Sequence, residues 1–270
     1  MDATQSLSNQ SFSAVYGPVK SWRYGKSLGI DPIGMVSTCS FNCVYCQLGN
    51  IQKHTHQRQI FVPTNQILSD LQAIKNWEDI NVVTLSGSGE PTLALNLAEI
   101  LTAVKTVAQK PVIVLTNSTL LGDDTVRSAL KWADIVAVKL DAISSKQLQR
   151  VNQPVATIDL PNILTGIEQF RQEYKGYLAI QTMVLSLWKP EILQDYIQFI
   201  QHLLPDEIQL NTPSRPRVLV RQLDARGNNI KPSSNYICQQ LRCVSHEQLS
   251  AIAQKIYNMT RIPVRCPART

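Results

Sequence analysis

Three cysteines, Cys39, Cys43 and Cys46, lie within a stretch of eight residues, the cysteine loop (residues 39–46). Thiolates are the usual ligands of iron–sulfur clusters, and three of them can hold three irons of a [4Fe–4S] cubane while the fourth iron stays open. No further cysteine lies nearby to close that iron, which argues against a ferredoxin-type electron carrier. A zinc ion would need a fourth ligand, for which His54 or His56 is available, and three unrelated buried thiols are the remaining alternative.

A glycine-rich segment follows the second predicted strand. It is the glycine motif, Ser-Gly-Ser-Gly-Glu-Pro-Thr, over residues 86–92. Gly87 and Gly89 allow a ligand to approach the backbone closely, because glycine has no Cβ. By itself the segment is typical of an ordinary turn between a strand and a helix. Its position one strand–helix unit after the cysteine loop favours a ligand-binding role.

The cysteine spacing, with the aromatic Tyr45 directly before the last cysteine, resembles the signature of the radical S-adenosylmethionine (SAM) superfamily. The resemblance implies that the three cysteines bind a [4Fe–4S] cluster whose open iron chelates the amino and carboxylate groups of SAM. It also implies that an electron from the cluster breaks the C5′–S bond, giving methionine and a 5′-deoxyadenosyl radical that abstracts hydrogen from a substrate. An electron donor such as flavodoxin or ferredoxin would then be a partner. In such enzymes the cofactor supplies the reactivity, and the protein binds and orients it.

The resemblance extends to residues that would contact SAM. Residues 88–91 are similar to a glycine-glycine-glutamate-proline motif that contacts the methionine amino group, although Ser88 replaces its first glycine. Polar residues at the ends of later strands occupy positions similar to those that contact the ribose, the carboxylate or the adenine. Each of them has the alternative role of a cap or turn residue. The predicted cofactor-binding residues are Tyr45, Gly87, Ser88, Gly89, Glu90, Pro91, Asn117, Ser118, Lys139, Asp141, Gln181, Thr182 and Asn211.

Several longer segments resemble a wyosine-synthase-like branch of that superfamily. They are residues 16–31, 38–41, 46–49 and 211–216, and the resemblance spans Val15 to Pro216. Wyosine synthases rebuild a tRNA guanosine and carry additional cysteines for a second cluster. This chain has no matching N-terminal triplet, so the resemblance does not bring the wyosine reaction or its tRNA substrate with it.

Apolar runs that are typical of buried strands alternate with segments of helical period along most of the chain. The predicted strands are 28–33, 82–86, 112–116, 135–140, 178–184 and 207–211. The predicted helices begin after Thr64 as N-cap and continue with 97–107, 123–133, 159–174 and 190–203. This alternation predicts an α/β fold, a partial (βα)6 barrel with a C-terminal extension. In such folds the loops after the strands carry the chemistry.

Beyond Asn211 the alternation gives way to a stretch that is rich in proline and is mostly loop. A final helix is predicted from Ser245, because Ser245 and Gln248 have the spacing of a capping box. We therefore divide the chain into a radical SAM core domain with an N-terminal segment, residues 1–216, and a C-terminal extension of loop plus helix, residues 217–270.

Charge favours a polyanionic partner. The 270 residues include 26 Lys plus Arg and 20 Asp plus Glu, a net charge of +6, so RNA is a candidate substrate. Arginines concentrate in the C-terminal region, where they either frame an anionic substrate or form a solvated surface. They are Arg215, Arg217, Arg221, Arg226, Arg261, Arg265 and Arg269.

The polar N-terminus lacks a basic start followed by an apolar run, so no secretory signal is predicted. No apolar run approaches the roughly 20 residues that a membrane helix needs. We therefore expect a cytoplasmic protein without a membrane partner, in which cysteines stay reduced. Cys238, Cys243 and Cys266 form a looser group, either an auxiliary cluster site or packed single thiols.

Three functions from different classes remain. The first is a radical enzyme that acts on a nucleic-acid base or a small molecule. The second is an activase that abstracts a glycine hydrogen from a partner enzyme, and the third is a non-catalytic iron–sulfur or metal-binding module. The first is favoured, because residues 217–270 would form a substrate cover that an activase does not need.

Overall fold

The structure is a computed structural model that describes residues 12–213, 217–219, 223–227, 237–241 and 243–268. Its strands are β1 (Val15–Ser21), β2 (Gly25–Ile30), β3 (Thr38–Cys39), β4 (Lys53–His54), β5 (Val82–Leu85), β6 (Val112–Thr116), β7 (Ile135–Lys139), β8 (Tyr177–Met183), β9 (Glu207–Asn211), β10 (Arg217–Val218), β11 (Cys238–Gln239) and β12 (Val264–Arg265). Its α-helices are α1 (Thr64–Gln72), α2 (Leu97–Ala108), α3 (Asp124–Leu130), α4 (Ser145–Val151), α5 (Leu160–Glu173), α6 (Pro190–Leu203) and α7 (His246–Thr260).

Eight strands form one sheet in the order β1-β2-β5-β6-β7-β8-β9-β12. From β2 to β12 all neighbours are parallel, whereas β1 pairs with β2 in the antiparallel direction. The two edge strands, β1 and β12, do not pair with each other, so the curled sheet is an open half-barrel. The predicted α/β partial barrel is therefore confirmed, with β2, β5, β6, β7, β8 and β9 as its six parallel strands.

The main core lies between the sheet and the helices that connect its strands. Residues such as Val83, Val114 and Val136 are inaccessible to solvent, as expected for parallel strands that are covered on both faces. In α5, Ile163, Ile167 and Phe170 recur at helical spacing and are buried. Burying each such side chain stabilises the fold by about 1.5–3 kcal/mol. This core makes the carboxyl ends of the strands a rigid platform for the loops.

The first parallel strand and the first helix differ from the prediction. The first parallel strand ends at Ile30 rather than residue 33, because Asp31 Oδ1 accepts hydrogen bonds from the N–H groups of Ile33 (3.0 Å) and Gly34 (3.1 Å) and turns the chain. The prediction of Thr64 as an N-cap is wrong. Pro63 is the cap, and the Thr64 hydroxyl accepts a hydrogen bond from Asn96 Nδ2 at 3.0 Å instead of one from its own helix.

The described part of the C-terminal region contains the predicted helix and three short strands that were not predicted, β10, β11 and β12. Ser245 and Gln248 form the capping box at the start of α7. After α7 the chain adds β12 beside β9 in parallel. The division at residue 216 stays a prediction. No helix among the described residues is long and apolar enough to cross a membrane.

Candidate functional site

The cysteine loop begins in register with the glycine motif. The Thr38 N–H donates to the Ser88 carbonyl oxygen at 3.0 Å, and the Glu90 N–H donates to the Thr38 carbonyl oxygen at 3.1 Å. A Cβ at Gly89 would lie 1.7 Å from that carbonyl oxygen, which is far inside van der Waals contact. Only glycine at position 89 therefore lets the two predicted segments lie side by side.

The later part of the cysteine loop rests on the end of α4. The Asn42 N–H donates to the Asn152 carbonyl oxygen and the Val44 N–H to that of Val151, both at 2.9 Å. Within the loop, the Cys46 N–H donates to the Cys43 carbonyl oxygen at 3.0 Å. Backbone hydrogen bonds thus hold the loop at both ends.

Two amide side chains point at cysteine sulfurs. Asn117 Nδ2 lies 3.4 Å from Cys39 Sγ, and Asn152 Nδ2 lies 3.4 Å from Cys43 Sγ. Amide donors at this distance stabilise charge on a thiolate, and hydrogen bonds to sulfur are one way in which proteins tune iron–sulfur clusters. The donor set of three thiols with two amides therefore fits a cluster.

Burial governs the protonation of the cysteine thiols. It raises the pKa of Cys39 well above its usual value, and burial together with the charge of the neighbouring Asp141 raises the pKa of Cys43 to about 12. Without a cation the neutral thiols are thus favoured, and metal coordination would displace their protons.

The zinc alternative receives no support from the described residues. His54 Nε2 lies 3.1 Å from the Ser40 carbonyl oxygen, and His56 Nδ1 lies 3.2 Å from Thr157 Oγ1. No three His, Cys, Asp or Glu side chains of the described ranges converge in a way that would hold a single metal ion. A cubane makes no such demand, because its thiolates bind different irons.

Glu90 of the glycine motif is a buried carboxylate. Its Oε1 accepts hydrogen bonds from the N–H and hydroxyl of Thr92 (3.1 and 2.7 Å) and from the Thr116 hydroxyl (2.7 Å). Its Oε2 accepts one hydrogen bond, from the Asn117 N–H at 2.6 Å. Burial raises the pKa of Glu90 despite these donors, so a cation beside Oε2 would stabilise the ionised form.

Asp141 connects the cysteine loop to the ends of β7 and β8. The Tyr45 hydroxyl and Asn152 Nδ2, the latter at 2.8 Å, donate to its Oδ2, while the Met183 N–H donates to its Oδ1 at 2.7 Å. Lys139 Nζ lies 3.7 Å from Oδ1 and 4.9 Å from the centre of the Tyr45 ring. Burial, followed by the charge of Asp141, raises the pKa of Tyr45 well above its usual value, so its hydroxyl stays a donor.

A second buried carboxylate, Asp31, fixes the other side of the glycine motif. Its Oδ2 accepts hydrogen bonds from the Ser88 hydroxyl at 2.6 Å and from Arg226 Nη1 at 3.0 Å. Gly87 has a φ of +120°, and a Cβ there would lie 2.5 Å from the Asp31 carboxyl carbon. The serine that departs from the family pattern is therefore held by a buried ion pair.

The remaining predicted residues divide into two groups. In the first group, the Ser118 hydroxyl donates to the Lys139 carbonyl oxygen at 2.7 Å. Gln181 Nε2 donates to Gln209 Oε1 at 2.8 Å, and Gln181 pairs in register with Lys139 of β7. The Thr182 hydroxyl instead donates to the Leu140 carbonyl oxygen at 2.8 Å and contacts the Tyr196 hydroxyl, on the helix-facing side of β8. Asn211 ends β9, and Pro91 begins a short 3₁₀ helix.

Sequence reasoning missed three residues at or next to the predicted site, Asp31, Asn152 and Gln209. It named Arg226 only as one of the arginines that could frame an anionic substrate. The partners of these residues lie far away in sequence, as Asn152 and Cys43 (109 residues apart) and Arg226 and Asp31 (195 residues apart) show. Asp31 carried no local signal either, because it lies within the predicted strand 28–33.

The three C-terminal cysteines differ in solvent exposure. Cys238 and Cys243 are exposed, and Cys266 is half-buried, where burial raises its pKa. Among the predicted basic residues, Arg261 is exposed at the C-terminal cap of α7 and Arg265 pairs with Glu207 at 3.3 Å. Arg215, Arg221 and Arg269 lie outside the described residues.

A family model and several relatives match this chain. The family described as "Radical SAM superfamily" matches residues 33–200. A UPF0026 protein of Synechocystis sp. is 52% identical over 259 residues, which cover 96% of this chain and 97% of that protein. A "Probable GTP 3′,8-cyclase" of Saccharolobus islandicus is 31% identical over 154 residues, 57% of this chain and 44% of that protein.

The fold is also similar to that of a solved structure. The crystal structure of Streptococcus suis SuiB bound to its precursor peptide SuiA matches with a TM-score of 0.62 at 13% identity. The match covers 89% of this chain and 48% of SuiB. At this identity the likeness concerns the half-barrel fold alone.

Proposed function

This chain belongs to the radical SAM superfamily, whose members are enzymes that bind a [4Fe–4S] cluster and SAM, and on that basis we propose that Cys39, Cys43 and Cys46 hold its cluster. When bound, the cluster supplies the electron that cleaves the C5′–S bond of SAM and so starts hydrogen abstraction from a substrate. The observation that carries this proposal is the pair of amides, Asn117 and Asn152, which lie 3.4 Å from the sulfurs of Cys39 and Cys43.

Asn117 and Asn152 orient the thiolates and stabilise their charge. Asn117 is itself held by two hydrogen bonds. Its backbone N–H donates to Glu90 Oε2, and its Nδ2 donates to the Ser40 hydroxyl at 2.8 Å. Asn152 is fixed by Asp141. Because each amide is anchored elsewhere, it does not need to reorganise when the thiols lose their protons.

Glu90 binds the amino group of SAM. Its Oε2 accepts a single hydrogen bond among the described residues, so a lone pair remains for an ammonium. Glu90 is 2% exposed, and a cation would offset the burial that raises its pKa. The backbone of residues 87–91 allows the close approach, since Gly87 and Gly89 have no Cβ.

A polar row inside the half-barrel, Lys139, Gln181 and Gln209, orients the rest of SAM. Lys139 pairs in register with Gln181, and Gln181 with Gln209. These groups and Asn211 supply donors and acceptors for hydroxyls and for the base, while Tyr45 and Asp141 keep Lys139 in place. Ser118 and Thr182 contribute by fixing the strand ends through backbone carbonyl groups.

We propose that the substrate is a nucleic-acid base, for example in a tRNA, or a small molecule. The similarity to a probable GTP 3′,8-cyclase supports a nucleotide, and the net charge of +6 favours a polyanion. A flavodoxin or ferredoxin would serve as electron donor. A glycyl-radical activase is the less favoured alternative, because the C-terminal extension contacts residues next to the site, with Arg217 on Asn50 and Arg226 on Asp31.

The test is an anaerobic assay of the reconstituted chain. Mixed with dithionite and SAM, it should release 5′-deoxyadenosine and methionine, which are measured by liquid chromatography and mass spectrometry. Iron and sulfide should each approach four per chain, the stoichiometry of one cubane. Bound cluster without 5′-deoxyadenosine would instead indicate a non-catalytic iron–sulfur module, and bound zinc would overturn the proposal.

A further inference from the structure

Two arginines of the C-terminal extension contact residues that lie next to the two motif segments. Arg226 lies between the rings of Phe12 and Tyr16, at 5.0 and 4.9 Å from their centres, and pairs with Asp31 beside the glycine motif. Arg217 Nη2 donates to Asn50 Oδ1 at 2.6 Å, four residues beyond Cys46. The extension therefore reaches the segment that directly follows the cysteine loop.

The Arg217 guanidinium is held in a fixed position. Arg217 and Val218 form β10, which pairs with Gln239 and Cys238 of β11 in antiparallel register. Val218 is inaccessible to solvent, and Arg217 is 9% exposed. With its backbone in a strand and its Nη2 on Asn50, the side chain has little freedom to turn away.

Arg217 nevertheless keeps one donor, its Nε–H, without a partner among the described residues. This donor is buried. An unpaired buried donor costs about 1–3 kcal/mol, and more when the group is charged, so such donors normally meet a ligand or an ordered water. The Nε–H belongs to the rigid fork of guanidinium donors that matches the oxygens of a carboxylate or phosphate.

We propose that Arg217 binds an oxyanion of the ligands in the radical SAM site, through its Nε–H and with Asn50 as the anchor of the guanidinium. The inference rests on the proposed function, because it places the anion beside the cysteine loop. Residues 213–226 contain four arginines and one acidic residue, so the local charge also favours an anion. The oxyanion is either the carboxylate of SAM or a phosphate of the second substrate.

Anaerobic titration calorimetry on the reconstituted full chain tests the inference with two probes. SAM is titrated first, and inorganic pyrophosphate is then titrated into the SAM-saturated enzyme. We expect Arg217→Gln to lower the affinity for one of the two probes about 10-fold, which corresponds to about 1.4 kcal/mol of binding free energy. Arg217→Lys should weaken it less, because it keeps the charge but not the fork. The affected probe identifies the source of the oxyanion.

The matched control is Arg261→Gln, which removes one exposed arginine at the cap of α7 and should leave both affinities unchanged. Iron content and thermal melting establish that each variant is folded. Equal affinities of wild type and Arg217→Gln for both probes would overturn the inference and assign the Nε–H to a water. If Arg217→Gln does not fold, unchanged affinities in Arg217→Lys overturn it in the same way. The two proposals fail separately, because binding of the probes does not require SAM cleavage. If the wild-type chain releases 5′-deoxyadenosine but its affinity for both probes does not depend on Arg217, the inference is wrong and the proposed function stands.

Discussion

The cysteine loop and the part of the C-terminal extension before α7 contact the half-barrel in different ways. Backbone hydrogen bonds hold the cysteine loop, from Thr38 to the glycine motif and from Asn42 and Val44 to the end of α4. Before α7, the described extension contacts residues next to the two motif segments through two side chains, Arg217 on Asn50 and Arg226 on Asp31. The loop is therefore sensitive to added Cβ atoms, whereas this part of the extension is sensitive to removed charge.

The largest expected effect concerns the proposed ligands, and it tests whether the cysteine loop alone carries the chemistry. Cys43→Ala should lose the cluster and all measurable 5′-deoxyadenosine, because a missing thiolate leaves an iron without its protein ligand. Iron analysis and the cleavage assay measure both effects. Cys243→Ala, at an exposed position of the extension, should retain iron and activity. Normal iron in Cys43→Ala would remove the basis of the cluster assignment.

The next effect breaks the backbone attachment without touching a polar side chain. Gly89→Ala places a methyl group where Thr38 oxygen already lies, and we expect a loss of more than about 4 kcal/mol in the free energy of unfolding or failure to fold. Gly122→Ala is the matched control, because nothing lies within 4 Å of a Cβ there. Denaturant unfolding compares the two, and similar midpoints would contradict the described register.

A smaller effect is expected when the extension loses its ion pair. Arg226→Gln leaves the Asp31 charge buried without its cationic partner, which should cost about 3–5 kcal/mol. The exposed Arg150→Gln variant serves as control and should change stability little. Thermal unfolding at low and high salt checks this, since a buried pair is screened little by salt. Equal stability of both variants would show that the extension is held by other contacts.

The smallest effect is expected for a residue that orients a proposed cluster ligand but does not bind the cluster itself. Asn152→Ala removes the amide from Cys43 and Asp141, and we expect SAM cleavage to fall by about 10-fold while iron content is retained. The cluster reduction potential should shift as well, because a hydrogen bond to sulfur is lost. Asn258→Ala, an exposed amide in α7, should change neither quantity. An unchanged potential would argue that Asn152 only supports the fold of the loop.

The sequence pattern was sufficient for the parts of the fold that are local or strongly apolar. Strands such as Val112–Thr116 and Ile135–Lys139 are continuous apolar runs, so their burial on both faces is visible in the sequence. The edge strand β1 was not predicted, because Gly17 and Pro18 interrupt it, and β12 has two residues and no pattern. The helix α4 has seven residues, which is too short for a clear apolar period.

The same distinction applies to the candidate site. The cysteines and the glycine motif are each contiguous, so their spacing was informative. Asn152, Asp31 and Arg226 are single polar residues whose importance arises only from the tertiary contacts that they make. Polar side chains in loops are common, and no local pattern separates these three from turn residues. Their discovery required the fold.

The direction of β12 has a practical consequence. Because β12 runs parallel to β9, its carboxyl end lies at the same edge of the sheet as Asn211, where the reactive loops gather. Cys266, Pro267 and Ala268 therefore leave the sheet on that face. The described chain also begins at this edge, because β1 is antiparallel to β2 and Val15 lies opposite Ile30. A tag at either end is therefore best removed by protease cleavage before the assay.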